Sequence, residues 1–141
     1  NSDPPTRSSG KTISYDSKDS NKAGYNEDDK IAVFYFPNNS VTPDLKAQSV
    51  IGELVNIYKD NLLILVGHAS ALGSDNPGGK KINMNLSFSR AETIKNMLIN
   101  KGFPLDSITV LAKGDLEPII NPNGQSIESE NRRVEVFLSS K

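Results

Sequence analysis

One arginine in this chain of 141 residues has the surroundings of a binding group: Arg90, in the string Asn83-Met-Asn-Leu86-Ser-Phe-Ser-Arg90-Ala91. On a helix it follows Leu86 by one turn and adjoins Ala91, which puts it at the edge of the apolar face rather than in solvent. A guanidinium held there needs a partner, because a buried unpaired charge is costly. Either an acidic side chain of the same chain supplies it, as a structural ion pair, or a ligand carboxylate does, gripped by two parallel hydrogen bonds from the planar fork.

Other candidates are sparse. His68 is the single histidine, in Gly67-His-Ala-Ser70, and on a strand it shares a face with Ser70, a pairing that raises the question of hydrolysis. Two residues on one strand do not make a nucleophile elbow. Without cysteine, a second histidine or a dense carboxylate cluster, neither a triad nor a zinc site assembles readily. The expectation is a non-catalytic protein without metal or cofactor, in which His68 is a strand-end histidine hydrogen-bonded within the fold. Asn83 either caps the start of the helix or bonds a ligand carboxylate.

The elements that position these side chains follow from apolar patterning. Residues 31–36 are rich in branched and aromatic side chains, end at Pro-Asn-Asn-Ser and read as a strand. Thr42-Pro43-Asp44 offers a capping hydroxyl, a proline for the first helical position and an acid for the first turn. The helix expected there buries Ala47, Val50, Ile51, Leu54, Val55 and Tyr58. Residues 62–67 are apolar without alternation and belong at the sheet centre, completing a β-α-β unit with the first strand. A second helix turns Ala91, Ile94 and Leu98 to the core and ends near Gly102, before Pro104. Residues 108–113 and 134–138 alternate as strands. Residues 114–130, with a Pro-Asn-Gly turn at 122–124, read as loop with at most a short helical turn. The fold class is an α+β sandwich, β-α-β-α-β-β, with a mixed sheet of about four strands and two main helices on one face.

Composition narrows the partners. The chain has 16 Lys and Arg against 17 Asp and Glu, a net charge of −1, and its basic residues are scattered, which excludes the electrostatics of nucleic-acid binding. No apolar run approaches the ~18 residues that cross a bilayer, so membrane attachment is expected only through a missing upstream anchor. The start at Asn1, with neither methionine nor signal peptide, fits a trimmed chain. Absence of cysteine removes disulfides and thiolate metal sites. In residues 1–30 the large apolar side chains are Ile13, Tyr15 and Tyr25, too few to offset ordering entropy, so that stretch reads as a flexible polar tether to a domain at 31–141. Alternation in Thr12-Ile-Ser-Tyr15 allows a short added strand there.

Four pieces occur in a telling order: Gly67-His-Ala-Ser70, the Arg90 string, Gly114-Asp-Leu-Glu-Pro118 and Asn131-Arg-Arg-Val-Glu135. Together they resemble the OmpA-like peptidoglycan-associating domain, from about residue 31 to the end. The resemblance implies a non-catalytic periplasmic module that binds the diaminopimelate-containing peptide stem of peptidoglycan. Such a module ties an envelope protein, attached to the outer membrane in its full-length form, to the cell wall. In that family the arginine of L-S-x-x-R-A and an aspartate at the end of the central strand hold the carboxylate and ammonium of diaminopimelate. Arg90 matches the arginine, and Asn83 and Leu86 belong to its motif. Phe36 and Asn38 lie where the family has its pocket-lining aromatic-aspartate step, with Pro37 replacing the acid. Gly114 to Pro118 matches a structural turn. Arg132 and Arg133 match the last motif, either as ligand contacts or with one paired to a carboxylate at the sheet edge.

The aspartate is where the chain departs. Counted from the strand, Ser70 takes its place, and a neutral hydroxyl gives up charge assistance of order 1 kcal/mol. Counted from the helix, Asp75 stands fifteen residues before Arg90, the family spacing, whereas Ser70 stands twenty before and implies an insertion in the 71–81 loop. Ser70 is then the positional equivalent, and Asp75 a charge supplied from the loop. The loss of two acids also supports a second reading, a protein-interaction scaffold in an envelope complex with weak or no wall binding.

Overall fold

The computed structural model describes residues 11–14, 25–70 and 77–139. In chain order it contains β1 (Lys11–Ser14), β2 (Lys30–Tyr35), α1 (Ala47–Tyr58), β3 (Leu63–Gly67), α2 (Pro77–Asn100), β4 (Ile108–Ala112), the short α3 (Glu128–Asn131) and β5 (Arg133–Leu138). One sheet runs in the order β1-β4-β3-β5-β2. The unbroken apolar run of β3 is central, as expected, and all five of its residues are buried. It pairs parallel with β4 and antiparallel with β5, and β5 pairs antiparallel with β2. Strands β2 and β3 are thus parallel to each other, as a β-α-β unit requires, but the last strand of the chain lies between them. Alternation marks a strand without naming its neighbours, so this insertion is invisible in sequence.

The mixed four-strand sheet has a fifth member. Lys11–Ser14 adds parallel to β4, Lys11 opposite Thr109 and Ser14 opposite Ala112, which is the short strand that the alternation allowed. Glu27–Asp29 forms a helical turn capped by Asn26, and Tyr25 is buried with its ring centroid 4.3 Å from that of Phe137. The tether reading of residues 1–30 therefore does not hold for 11–14 and 25–30. Composition counts apolar side chains, whereas β1 is held by backbone groups that cover the open edge of β4.

Both main helices lie on one face. Ala47, Ile51 and Leu54 of α1 and Ala91, Ile94 and Leu98 of α2 join Phe34, Leu65, Val110, Val134 and Val136 of the sheet in the larger core; Val50, Val55 and Tyr58 are only partly buried. Helix α1 starts four residues later than the Thr42-Pro43-Asp44 signal places it. Asp44 does act at its entrance, its Oδ1 accepting from Lys46 N at 3.1 Å and its carbonyl from Ala47 N at 3.1 Å. Helix α2 starts earlier than expected, at Pro77, a residue whose fixed φ suits the first helical position. Its far end is as expected: Gly102 at φ 108° lets Phe103 N donate to Leu98 O (2.9 Å) and Gly102 N to Ile99 O (3.0 Å), closing the last turn. A smaller cluster of Tyr25, Ile64, Val66, Leu111 and Phe137 fills the opposite face. Residues 114–127 form the expected loop, with Gly124 in the left-handed region of the Pro-Asn-Gly turn.

Two contacts bring α2 unusually close to the strand ends. A Cβ at Gly67 would overlap the Ser87 carbonyl, so only glycine permits this approach. Ser87 Oγ then accepts from Gly114 N at 2.9 Å while donating to Met84 O at 2.7 Å, tying the helix to the turn after β4.

Candidate functional site

The close approach of α2 carries Arg90 into the protein, where it is fully buried and the largest such side chain described. Its partners come from chain reversals at the strand ends. Pro37 to Ser40 form a turn, closed by Ser40 N to Pro37 O at 3.1 Å and using a left-handed Asn39 (φ 58°), a conformation asparagine tolerates. Arg90 Nε donates to Ser40 O (2.9 Å), Nη2 to Pro37 O (3.4 Å) and Nη1 to His68 O (3.3 Å). The guanidinium also lies over the Phe36 ring, 5.4 Å from its centroid. Among the described residues no carboxylate pairs with it, so the intramolecular ion pair considered from sequence is not found there. Burial, and secondarily the nearby charge of Arg132, bring the Arg90 pKa down from 12.5 to about 10, which leaves it charged at neutral pH.

Arg132 is the second cation here. Its Nε donates to Phe36 O at 3.0 Å, and Phe36 N donates back to Arg132 O at 2.9 Å. Adjacent residues of an extended chain point to opposite faces, so Arg132 and Arg133 cannot both reach the site. Arg133 lies on the other face, its Nε donating to Glu135 Oε2 at 3.0 Å. That face carries a balanced network: Glu135 Oε2 also accepts from Lys30 Nζ (3.2 Å), and its Oε1 accepts from His68 Nε2 (3.2 Å). Burial alone would raise the Glu135 pKa, but the His68 hydrogen bond and the Arg133 charge outweigh it and hold the carboxyl well below 4.5. Burial lowers His68 from 6.5, against the opposing hydrogen bond to Glu135. A carboxylate only accepts, so Nε2 carries the imidazole proton; the buried Nδ1 has no hydrogen-bond partner among the described residues. His68 is therefore the internally bonded strand-end histidine anticipated from sequence, its Nε2–H engaged by Glu135.

The other sequence candidates fall as follows. Phe36 is in the site. Ser70 is buried two residues beyond His68, and Leu86 is half-buried on α2 one turn before Arg90. Asn38 is exposed on the turn whose carbonyls hold Arg90. Asn83 is buried six residues inside α2 and so is not its cap; Pro77 begins the helix that the sequence reading started later. Asp75 lies outside the described residues. Gly114, at φ 57° and packed on Met84, makes the expected structural turn. Asn131 pins the following loop, its Oδ1 accepting from Ile119 N and its Nδ2 donating to Ser126 Oγ, both at 2.6 Å. The sequence reading missed the main-chain acceptors, which no side-chain motif reports, and left the two arginines undivided, although their adjacency separates them. No group of three or more His, Cys, Asp or Glu able to hold a metal occurs among the described residues. Nor is any described helix long and apolar enough to cross a membrane.

Several known bacterial proteins are similar to this chain. An outer membrane protein of Gluconacetobacter diazotrophicus is 36% identical over 84 residues, 60% of this chain and 20% of that protein. The peptidoglycan-associated lipoprotein of Buchnera aphidicola subsp. Baizongia pistaciae is 28% identical over 102 residues, 70% of this chain and 56% of that one. The chain thus spans a fifth to just over half the length of these curated relatives. The crystal structure of the peptidoglycan-associated lipoprotein from Burkholderia pseudomallei shares the fold at a TM-score of 0.64 with 16% identity, over 77% of this chain and 91% of that one. The OmpA family model matches residues 35–132, from the end of β2 to the arginine beside Arg90, and the chain belongs to the OmpA family.

Proposed function

We propose that this domain binds the diaminopimelate-containing peptide stem of peptidoglycan without catalysis and so anchors an envelope protein to the cell wall from the periplasm. One observation carries the reading: a buried guanidinium is held by three neutral carbonyls, with a second arginine beside it and no acid among the described residues. Main-chain dipoles orient such a cation without neutralising it, and the remaining charge favours an anion. The terminal carboxylate of diaminopimelate fits, and the neighbouring ammonium falls to Ser70 or Asp75. The reading assigns Phe36, Asn38, Asn83 and Leu86 to the ligand's approach. Arg90 is enclosed, so ligand entry requires the rim of the site to move.

Titration of wild type, Arg90→Lys and Arg90→Ala with a purified diaminopimelate muropeptide tests this. Charge-assisted hydrogen bonds of about 1.5–3 kcal/mol translate into a loss of roughly 10- to 100-fold in Arg90→Ala. Arg90→Lys should fall between, keeping the charge and losing the fork. Absence of binding by folded wild type would favour the scaffold reading, which the replacement of two family acids by Pro37 and Ser70 supports.

A further inference from the structure

The two faces of the sheet communicate through one residue beyond β3. His68 gives its main-chain oxygen to Arg90 Nη1 on the helix side, at 3.3 Å, while its ring turns to the other side and bonds Glu135 at 3.2 Å. Its main-chain N–H donates to Arg133 O at 2.8 Å, and Arg133 in turn bonds Glu135 at 3.0 Å. Glu135 also holds Lys30, the residue that ends the segment beginning at Tyr25.

That segment docks as a unit. Asn26 Oδ1 accepts from Asp28 N at 3.1 Å and Asn26 O from Asp29 N at 3.0 Å, a turn that fixes where Lys30 emerges. The Tyr25 ring packs on Phe137 of β5, two residues from Glu135 and on the same face, and Lys113 Nζ lies 5.7 Å from the Tyr25 ring centroid. The Tyr25 ring, on Phe137, and the Lys30 ammonium, on Glu135, therefore grip the same strand.

We infer that Glu135 is a positioning residue for the Arg90 site, acting through His68, and that by also holding Lys30 it couples docking of residues 25–30 to ligand binding on the opposite face. The inference rests on Arg90 being the ligand-binding group. Loosening Glu135 leaves the buried His68 ring without its partner, and a ring that moves takes with it the carbonyl that orients Arg90. Hydrogen bonds weaken steeply with misalignment, so a small displacement suffices. Coupling between two binding events is reciprocal: ligand at Arg90 must tighten the segment by the factor that segment docking tightens the ligand.

The test uses NMR of the Arg90 side-chain N–H groups and of the amides of residues 26–30, in wild type and Lys30→Ala, before and during titration with a diaminopimelate muropeptide. Lys30 touches nothing on the helix face, and its replacement leaves Glu135 with His68 and Arg133, so the variant should fold. The expected result is a shifted Arg90 Nε–H signal in ligand-free Lys30→Ala, muropeptide affinity lowered about fivefold, and amide exchange at 26–30 slowed by a like factor when wild type is saturated. Faster exchange at 26–30 in Lys30→Ala with unmoved Arg90 signals and unchanged affinity overturns the coupling. If wild type binds no muropeptide, the ligand assignment fails by itself, and the Arg90 signal of the ligand-free variant still decides the positioning role.

Discussion

Arg90 and Glu135 are both buried charges touched by His68, on opposite faces of one sheet, and they are finished differently. Glu135 receives donors from His68, Arg133 and Lys30, so its charge is answered within the fold. Arg90 receives three carbonyls, which align the guanidinium, and among the described residues no carboxylate answers its charge. A buried ion that the protein neutralises is part of the architecture. One that it orients without neutralising is, in the proposed function, prepared for a partner from outside. The contrast separates stability from binding, and substitutions can be chosen to break it.

The largest effect is expected at Glu135. Replacement by alanine leaves Arg133 and His68 buried without their acceptor, a loss of ~3–5 kcal/mol in chemical denaturation. Arg90→Ala should cost clearly less stability, since it removes an uncompensated charge along with its hydrogen bonds, while abolishing most muropeptide affinity. Equal losses of stability at the two positions would erase the distinction between them.

Packing beneath the site comes next. Gly67→Ala forces a methyl group into the Ser87 carbonyl and must displace α2, at a cost of about 1–3 kcal/mol, and it should weaken ligand binding because Arg90 rides on that helix. A variant of wild-type stability would mean that α2 is not fixed by this contact.

Acid should act on the Glu135 face. The His68 pKa is lowered in the fold, so below about pH 6.5 the unfolded chain takes up a proton that the native protein refuses, and stability falls. Glu135, also lowered, contributes stability that is complete above its ordinary 4.5 and is lost as pH drops through its folded value. Denaturation midpoints measured from pH 7.5 downward should therefore decline in two stages, and His68→Gln should flatten the first. A midpoint independent of pH between ~7 and ~5 in wild type contradicts the assignment of His68 as neutral. The smallest effect is that of Lys30→Ala, about 1 kcal/mol for a partly exposed pair, visible in the same denaturation curves.

The legible part of this molecule was what side chains report. Uninterrupted apolar residues placed β3 at the centre, alternation found β4 and β5, and Gly102 ended α2. Arg90 stood out because a cation beside Leu86 and Ala91 needs an explanation. What stayed hidden depends on the backbone. The carbonyls of Pro37, Ser40 and His68 that hold Arg90 have no sequence signature, and neither does the insertion of β5 between β2 and β3. Tyr25 looked like an isolated aromatic in a polar stretch because its partner, Phe137, is over a hundred residues away. Asn83 looked like a cap because the helix was started too late; Pro77 was the better signal, masked by the two glycines that follow it.

The most direct measurement compares wild-type affinity for two muropeptides that differ only at the terminal carboxylate of diaminopimelate, free in one and amidated in the other. Amidation keeps the shape and removes the charge that Arg90 receives in the proposed function. The account predicts binding weakened at least tenfold by amidation, with the difference vanishing in Arg90→Ala. Equal affinity of wild type for the two ligands would contradict it.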